Sequence, residues 1–301
     1  MSSPKILFDL RSIGLGDSVC AEPVIRYAME RYYPDLKIWT DYPELYGHLG
    51  CVVPHTYNEV DRIVSASPHM VQDSKMVTHP MASYLQAGLI RSIDLISFML
   101  LRQQLPMQHQ TPRLVPDPVL IKNLHHQFPD LKNSWLIHPG HGDPLRSFGR
   151  DYWNGIAKEI GECFVIGKMF KRFDQNFGSY PLDYGVDVRN DWSLEGLIAA
   201  CSIAKGIITN DSGPLHVMGA FDKWIVAIPT IRDAGYLFPT RANPHKNVAI
   251  QGEKLYAHEY QYAPHLPGPR VCGEIVTSFN PAVHLPAVEK VIQKIKEIDN
   301  E

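Results

Sequence analysis

Cysteine is scarce in this sequence and poorly spaced for pairing. The 301 residues hold five, Cys20, Cys51, Cys163, Cys201 and Cys272, and no Cys-x-x-Cys. That argues against a disulfide framework and a structural zinc site, and fits a reducing, cytoplasmic compartment. Long apolar runs are missing too. The most apolar long stretch, 87–101, is interrupted by Arg91 and Asp94, and none approaches the roughly 20 residues that span a bilayer. The expectation is no transmembrane segment, with peripheral membrane contact left open. The first residues show no charged-then-apolar secretory pattern. Charge of one sign is also lacking. The net charge of −3 gives no support for a global polyanion-binding surface. Several catalytic signatures are absent: Asp-x-Asp, His-Glu-x-x-His, Gly-x-Ser-x-Gly and the phosphate loop of NTPases. No metal site is expected, and no cofactor.

What the sequence does have is apolar mass and alternation. Hydrophobic residues make up 45% and charged residues 20%, enough for buried cores, and the length suggests two domains. Two blocks repeat one order of elements: short apolar strand, glycine-containing turn, amphipathic helix. The first has strands near 6–10, 37–40 and 63–64, a helix through about 32 and a long helix near 83–104. The second has strands near 135–140, 163–167, 206–209 and 224–228. Helices are expected between them, near 152–160, 193–201 and 213–221. Prolines crowd 106–132 around a helix expected near 119–128. The division predicted is 1–130, 131–285 and a helical tail 286–301. Alternating strands and helices imply parallel sheets. The fold class expected is α/β, two Rossmann-like doubly wound domains facing a central cleft, since such sheets bind ligands at the carboxyl ends of their strands.

Three segments are candidates for chemistry. Asn210-Asp211-Ser212-Gly213-Pro214-Leu215-His216 lies between an apolar strand and a small-residue helix. Free N–H groups at a helix start favour a phosphate, and Pro214 is tolerated in the first turn. Asp211 there can accept from sugar hydroxyls. Read alone, the segment fits an Asp or Ser cap on an ordinary helix better. Gly14-Leu15-Gly16-Asp17-Ser18, read as a flexible loop, offers Asp17 as a general base; a helix cap is the competing reading. His138-Pro139-Gly140-His141-Gly142, followed by Arg146 and Arg150, offers backbone approach and a guanidinium for a diphosphate; a surface arginine is the alternative. His125 and His126 are assigned to a solvent-facing helix without function.

Together these segments resemble the heptosyltransferase-like glycosyltransferases, glycosyltransferase family 9, whose fold is GT-B. Gly16-Asp17 with Pro23 is similar to the family's G-D-x-x-x-x-x-P loop. Ile137 to Gly140 through Trp153 is similar to its strand, Pro-Gly, basic and Trp stretch. Asn210 to His216, with Ile225 to Ile228 beyond, resembles its D-[ST]-G-x-x-H region. The resemblance implies an inverting, metal-independent transfer from a nucleoside-diphosphate sugar. It implies Asp17 as base, Asp211 on the donor sugar, and Ser212 and Gly213 on the diphosphate, with His216 supporting them. Arg146 stands where the family usually has a lysine. Gly16, Gly140 and Gly167 complete the implied donor-binding set. The implied partners are a nucleotide sugar and a saccharide or glycolipid acceptor.

Three other readings stay open. The acceptor can instead be hydroxymethylated DNA, although acidic and basic residues nearly balance over 1–125. The chain can be a non-catalytic sugar-nucleotide binder, or a sugar-nucleotide epimerase of the same architecture.

Overall fold

The structure is a computed structural model, and it describes residues 5–11, 13–57, 59, 61–65, 104–140, 146, 148–172, 175–230, 237–238, 241, 243–253 and 284–301. The helix expected near 83–104 lies, but for its last residue, outside these. The chain divides into two compact units: Met1–Val115 with Pro239–Ala242, and Pro116–Phe238 with Asn243–Glu301.

In the first unit, β1 (Ile6–Leu10) runs between β2 (Lys37–Thr40) and β3 (Arg62–Ser65), all parallel. Every residue of β1 is buried, the continuous burial expected of a parallel strand covered on both faces. The helix α1 (Leu15–Arg31) follows at once. Its inner side carries a buried ion network. The Glu22 carboxylate, fully buried, accepts from Arg26 Nε at 2.8 Å and from the Arg113 backbone N–H at 2.8 Å, and lies 3.1 Å from His48 Nε2. Arg26 in turn donates to the Thr111 carbonyl at 3.0 Å. One carboxylate therefore fastens two distant segments to α1.

Among the described residues the second unit holds a six-stranded parallel sheet. Its strands are β4 (Trp135–His138), β5 (Cys163–Val165), β8 (Val186–Asp187), β9 (Gly206–Thr209), β10 (Trp224–Ala227) and β11 (Asn247–Ala249), in the order β11-β10-β9-β4-β5-β8. Alternate residues face opposite ways. Trp135, Ile137, Ile208 and Val226 join a core with Trp153 and Ile156 of α3 (Arg150–Ile160) and with Val291 and Ile295 of α6 (Val288–Asp299). Phe164 instead meets Phe128 and Trp192 edge-on or stacked. There the helices α2 (Pro118–Gln127) and α4 (Leu194–Ile203) pack together. Gly206 is set by this packing. A Cβ there would lie 2.5 Å from the Trp224 carbonyl and 2.6 Å from the Trp135 ring.

Three features differ from expectation. The division falls at Val115/Pro116, not near 130, because α2, capped by Asp117, packs on α4 of the second unit. The tail belongs to the second core, burying Val291, Ile292, Ile295 and Ile298. An antiparallel hairpin, β6 (Met169–Arg172) with β7 (Gln175–Gly178), interrupts the strand–helix alternation between β5 and β8.

Candidate functional site

The strand order of the second unit locates a site before any side chain is considered. The chain leaves β4 for β5 and β8 on one side, then returns to β9 and continues to β10 and β11 on the other. Connections after β4 and β9 thus diverge, and the gap between their carboxyl ends is the topological switch point where open parallel sheets bind ligands. His138 ends β4 directly beside Thr209, which ends β9. The two strands deliver Gly140 and Arg146 from one side and Asn210 to Gly213 from the other.

Side chains knit these two loops together. Thr209 is fully buried, and its hydroxyl lies 2.8 Å from the Ser212 hydroxyl and 3.3 Å from Asn210 Oδ1. Asn210, 1% exposed, turns its amide the other way. It donates to the Arg146 backbone carbonyl and, at 3.4 Å, to that of Gly140. Beside it, Asp211 Oδ2 lies 3.2 Å from Arg146 Nη1, with side chains 13% and 18% exposed. Gly140 and His216 are buried and Gly213 is half-buried. The role of Asn210 as a staple between loops was missed in the sequence. Its polar side chain at the end of a buried strand was the available signal, since a buried amide needs partners.

The local helix-cap reading fares poorly here. Ser212 is the N-cap residue of α5 (Gly213–Met218), yet it makes no side-chain cap bond, because its hydroxyl is spent on Thr209. Asp211 faces Arg146. The first turn of α5 is left uncapped by either side chain, although its Leu215 N–H bonds to the Ser212 carbonyl.

The two arginines separate cleanly. Arg150 starts α3 and donates to the Pro181 carbonyl at 3.0 Å and to Asp183, with 49% of its side chain exposed. Arg146 is the one at the switch point. Residues 141–145, including His141 and Gly142, lie outside the described residues. Gly167 has a packing reason for being glycine. Its φ is +116°, and a Cβ would lie 2.6 Å from both the His138 ring and Ser179 Cβ.

In the first unit, the flexible loop expected at 14–18 is corrected. Gly14 is the N-cap of α1, so Gly16 and Asp17 lie in its first turn. The Ser18 N–H already closes on the Gly14 carbonyl at 2.9 Å. No side chain caps this helix, and an acidic residue in the first turn suits its dipole. A Cβ on Gly14 would come within 3.1 Å of Asp17 Oδ2, so glycine leaves that carboxylate its place. Nearby, buried Asp9 holds Arg11 at 2.6 and 2.8 Å, and the guanidinium stacks 4.4 Å above the Trp39 ring. Burial pushes the Tyr42 phenol up, with Asp41 and Asp17 adding to it. That places the Asp17 charge within electrostatic reach of Tyr42.

Among the described residues no three His, Cys, Asp or Glu side chains are grouped to hold a metal ion, and no helix is long and apolar enough to cross a membrane.

Similarity to known proteins enters through structure alone. No family model matches the sequence, and no curated protein does. The chain is similar to a family 9 glycosyl transferase from Veillonella parvula, with a TM-score of 0.63, 12% identity, and 100% of this chain and 98% of that one covered. It is similar to ADP-heptose LPS heptosyltransferase II of E. coli, with a TM-score of 0.62, 14% identity and 98% of both chains covered. It also resembles the iron-containing dodecameric glycosyltransferase TibC of enterotoxigenic E. coli, with a TM-score of 0.57, 12% identity, and 99% of this chain and 77% of that one covered. The fold is therefore the α/β architecture of these glycosyltransferases, and the strand order of the second unit is that of a doubly wound parallel sheet.

Proposed function

We propose that the chain is an inverting, metal-independent glycosyltransferase. It moves a sugar from a nucleoside-diphosphate sugar to an acceptor hydroxyl of a saccharide or lipid-linked saccharide. The observation that carries this reading is the meeting of Arg146 and Asp211 at the switch point of the second sheet, 3.2 Å apart. A diphosphate needs a guanidinium and backbone N–H groups; a sugar ring needs a carboxylate that accepts from its hydroxyls. Both sets stand side by side on loops joined by Asn210. The proteins of similar fold named above include one whose description carries ADP-heptose.

In this mechanism Arg146, with the amides at Ser212 and Gly213, takes the negative charge that develops on the departing diphosphate. That is the work a bound cation does in other transferases. Asp211 holds the sugar by its hydroxyls, and His216 supports the loop from behind. Asp17 removes the acceptor proton as the acceptor oxygen attacks the anomeric carbon. The bond to the diphosphate oxygen breaks with its electron pair, so a single displacement inverts the centre.

The test has two steps. A thermal-shift panel of sugar nucleotides should contain at least one that raises the melting temperature. With that donor, Asp17→Asn should bind within about twofold of wild type and lose transfer by about 10²-fold or more, the usual weight of a general base. Full transfer by Asp17→Asn would remove the assigned base. A silent panel would remove the donor site.

A further inference from the structure

The Arg146–Asp211 pair has a consequence for the order in which products leave. Asp211 Oδ2 is shielded from solvent and makes no hydrogen bond; the charge beside it is that of Arg146, 3.2 Å away. Asn210 fixes the Arg146 backbone from the position next to Asp211. The pair is thus held by the loops and is no chance meeting of two long surface side chains. Such a carboxylate is stable while it has a counter-charge or hydrogen-bond donors, and costly when it has neither.

We propose that Asp211 is a specificity-determining residue that discriminates the sugar nucleotide from the nucleoside diphosphate left after transfer. This rests on the donor-site reading above. A diphosphate entering the site draws Arg146 away from Asp211. If a sugar is attached, its hydroxyls donate to Asp211 and the carboxylate is satisfied again. If no sugar is attached, Asp211 is left shielded without its cation. The bare nucleoside diphosphate therefore bears a penalty that the sugar nucleotide avoids. Once the sugar has gone to the acceptor, Asp211 takes Arg146 back and the diphosphate loses its guanidinium. The same carboxylate that holds the donor sugar then helps to expel the spent donor.

The experiment compares affinities by calorimetry on the full chain. The probes are ADP, GDP and UDP, each beside ADP-glucose, GDP-mannose and UDP-glucose. In wild type, the pair that binds should show the sugar nucleotide ahead of its diphosphate. Asp211→Asn keeps the shape and removes the charge. It should bind the diphosphate several-fold tighter, the scale of an ion pair that no longer has to be broken on binding, while the sugar nucleotide gains nothing. Product inhibition should strengthen in parallel. Asp211→Ser serves if the asparagine variant does not fold. A loop merely loosened by the substitution would weaken both ligands, so tighter diphosphate binding reads the discrimination itself. If a sugar nucleotide binds wild type but the diphosphate affinity of both variants stays within twofold or falls, the discrimination is refuted and the donor site stands. If no probe binds wild type, the donor-site reading falls and takes this inference with it.

Discussion

Exchanging Asn210 for aspartate or alanine tests whether the two loops at the switch point must be tied together to bind a donor. The wild-type amide is 1% exposed and donates to the Arg146 carbonyl and, more weakly at 3.4 Å, to that of Gly140. Asn210→Ala removes both donors and leaves a buried carbonyl to find another partner. The net loss of a hydrogen bond is about 1 kcal/mol, and an unsatisfied buried carbonyl costs about 1–3 kcal/mol. Because the Gly140 contact is long, a total of about 2 kcal/mol is the reasonable figure. If the freed loop must be reordered by the ligand, that cost falls on binding and weakens donor affinity about thirtyfold. Asn210→Asp has nearly the same shape, but its ionised carboxylate faces two carbonyl oxygens. Its pKa should rise above the usual value of about 3.9. The sign then follows: a carboxyl raised in the folded state favours that state at low pH and loses the advantage as pH rises through its folded value. The protonated form also offers one O–H to the Arg146 carbonyl. Donor titrations at pH 5 and pH 8, with urea unfolding alongside, should show Asn210→Ala weak at both. Asn210→Asp should be as weak at pH 8 and recover several-fold at pH 5. Donor affinity within threefold of wild type in Asn210→Ala, or an Asn210→Asp variant with no more pH dependence than the alanine, would refute the staple.

Other consequences concern the scaffold. Glu22→Gln removes the counter-charge of Arg26 and leaves one acceptor oxygen for the two donors, Arg26 Nε and the Arg113 N–H, in a fully buried site; urea unfolding should show a loss of about 3–5 kcal/mol. The double change Glu22→Leu with Arg26→Met should cost clearly less, and equal costs would mean the ion pair is not the issue. Gly206→Ala pushes a methyl to 2.5 Å from the Trp224 carbonyl, which is backbone and cannot rotate away. A loss of about 1–3 kcal/mol or more in thermal unfolding is expected, and an unchanged melting temperature would contradict the packing described. Burial pushes the Cys51 and Cys163 thiols up to about 11 from 9.0. Both thiols are protonated in the folded chain where unfolded thiols have begun to ionise, so stability should fall as pH rises from about 9 to about 11. Peptide mapping after native-state iodoacetamide treatment at pH 8 should find both unlabelled; rapid labelling of either would show it accessible.

The sheets were legible because parallel strands covered on both faces are written as unbroken apolar runs. Ile6 to Phe8, Trp135 to Ile137, Ile207 with Ile208, and Trp224 to Ala227 read that way, with a polar residue only near or at the carboxyl end of the first three strands, Asp9, His138 and Thr209. The short edge strand Val186–Asp187, exposed and two residues long, carries no such run. The hairpin Met169–Arg172 with Gln175–Gly178 mixes Lys and Arg with Phe, and no Asn-Gly or Asp-Gly turn marks it. The boundary expected near 130 and the division at Val115/Pro116 differ because prolines mark a linker without saying which side a helix between them joins. Pro118–Gln127 joins the second unit through its packing on Leu194–Ile203, which is a tertiary fact. The turn at Leu15 was misread because two glycines suggested flexibility, whereas one serves as N-cap and the other sits inside the first helical turn.

At the site, sequence named the residues but could not say which of two accounts they obey. A Ser or Asp before a short helix is ordinarily a cap, and that account uses the side chain on the helix's own N–H groups. Here the same two side chains are turned away from the helix, Ser212 to Thr209 and Asp211 to Arg146. Helix stability gains no side-chain cap bond from this arrangement, whereas anion binding at that turn gains an uncapped helix start with a guanidinium beside it. The strand order gives the same answer independently, because a switch point arises from the direction of crossovers and knows nothing of Ser212 or Asp211. Two constraints of different origin, one topological and one of hydrogen-bond direction, converge on the few residues between β4 and β9. A capping role for Ser212 predicts that Ser212→Ala costs about 1 kcal/mol in stability and leaves ligand affinity alone. The site role predicts that the loss appears mainly in donor affinity, since the Thr209–Ser212 bond shapes the loop that the diphosphate must fit. Measuring both quantities on that one variant decides between them.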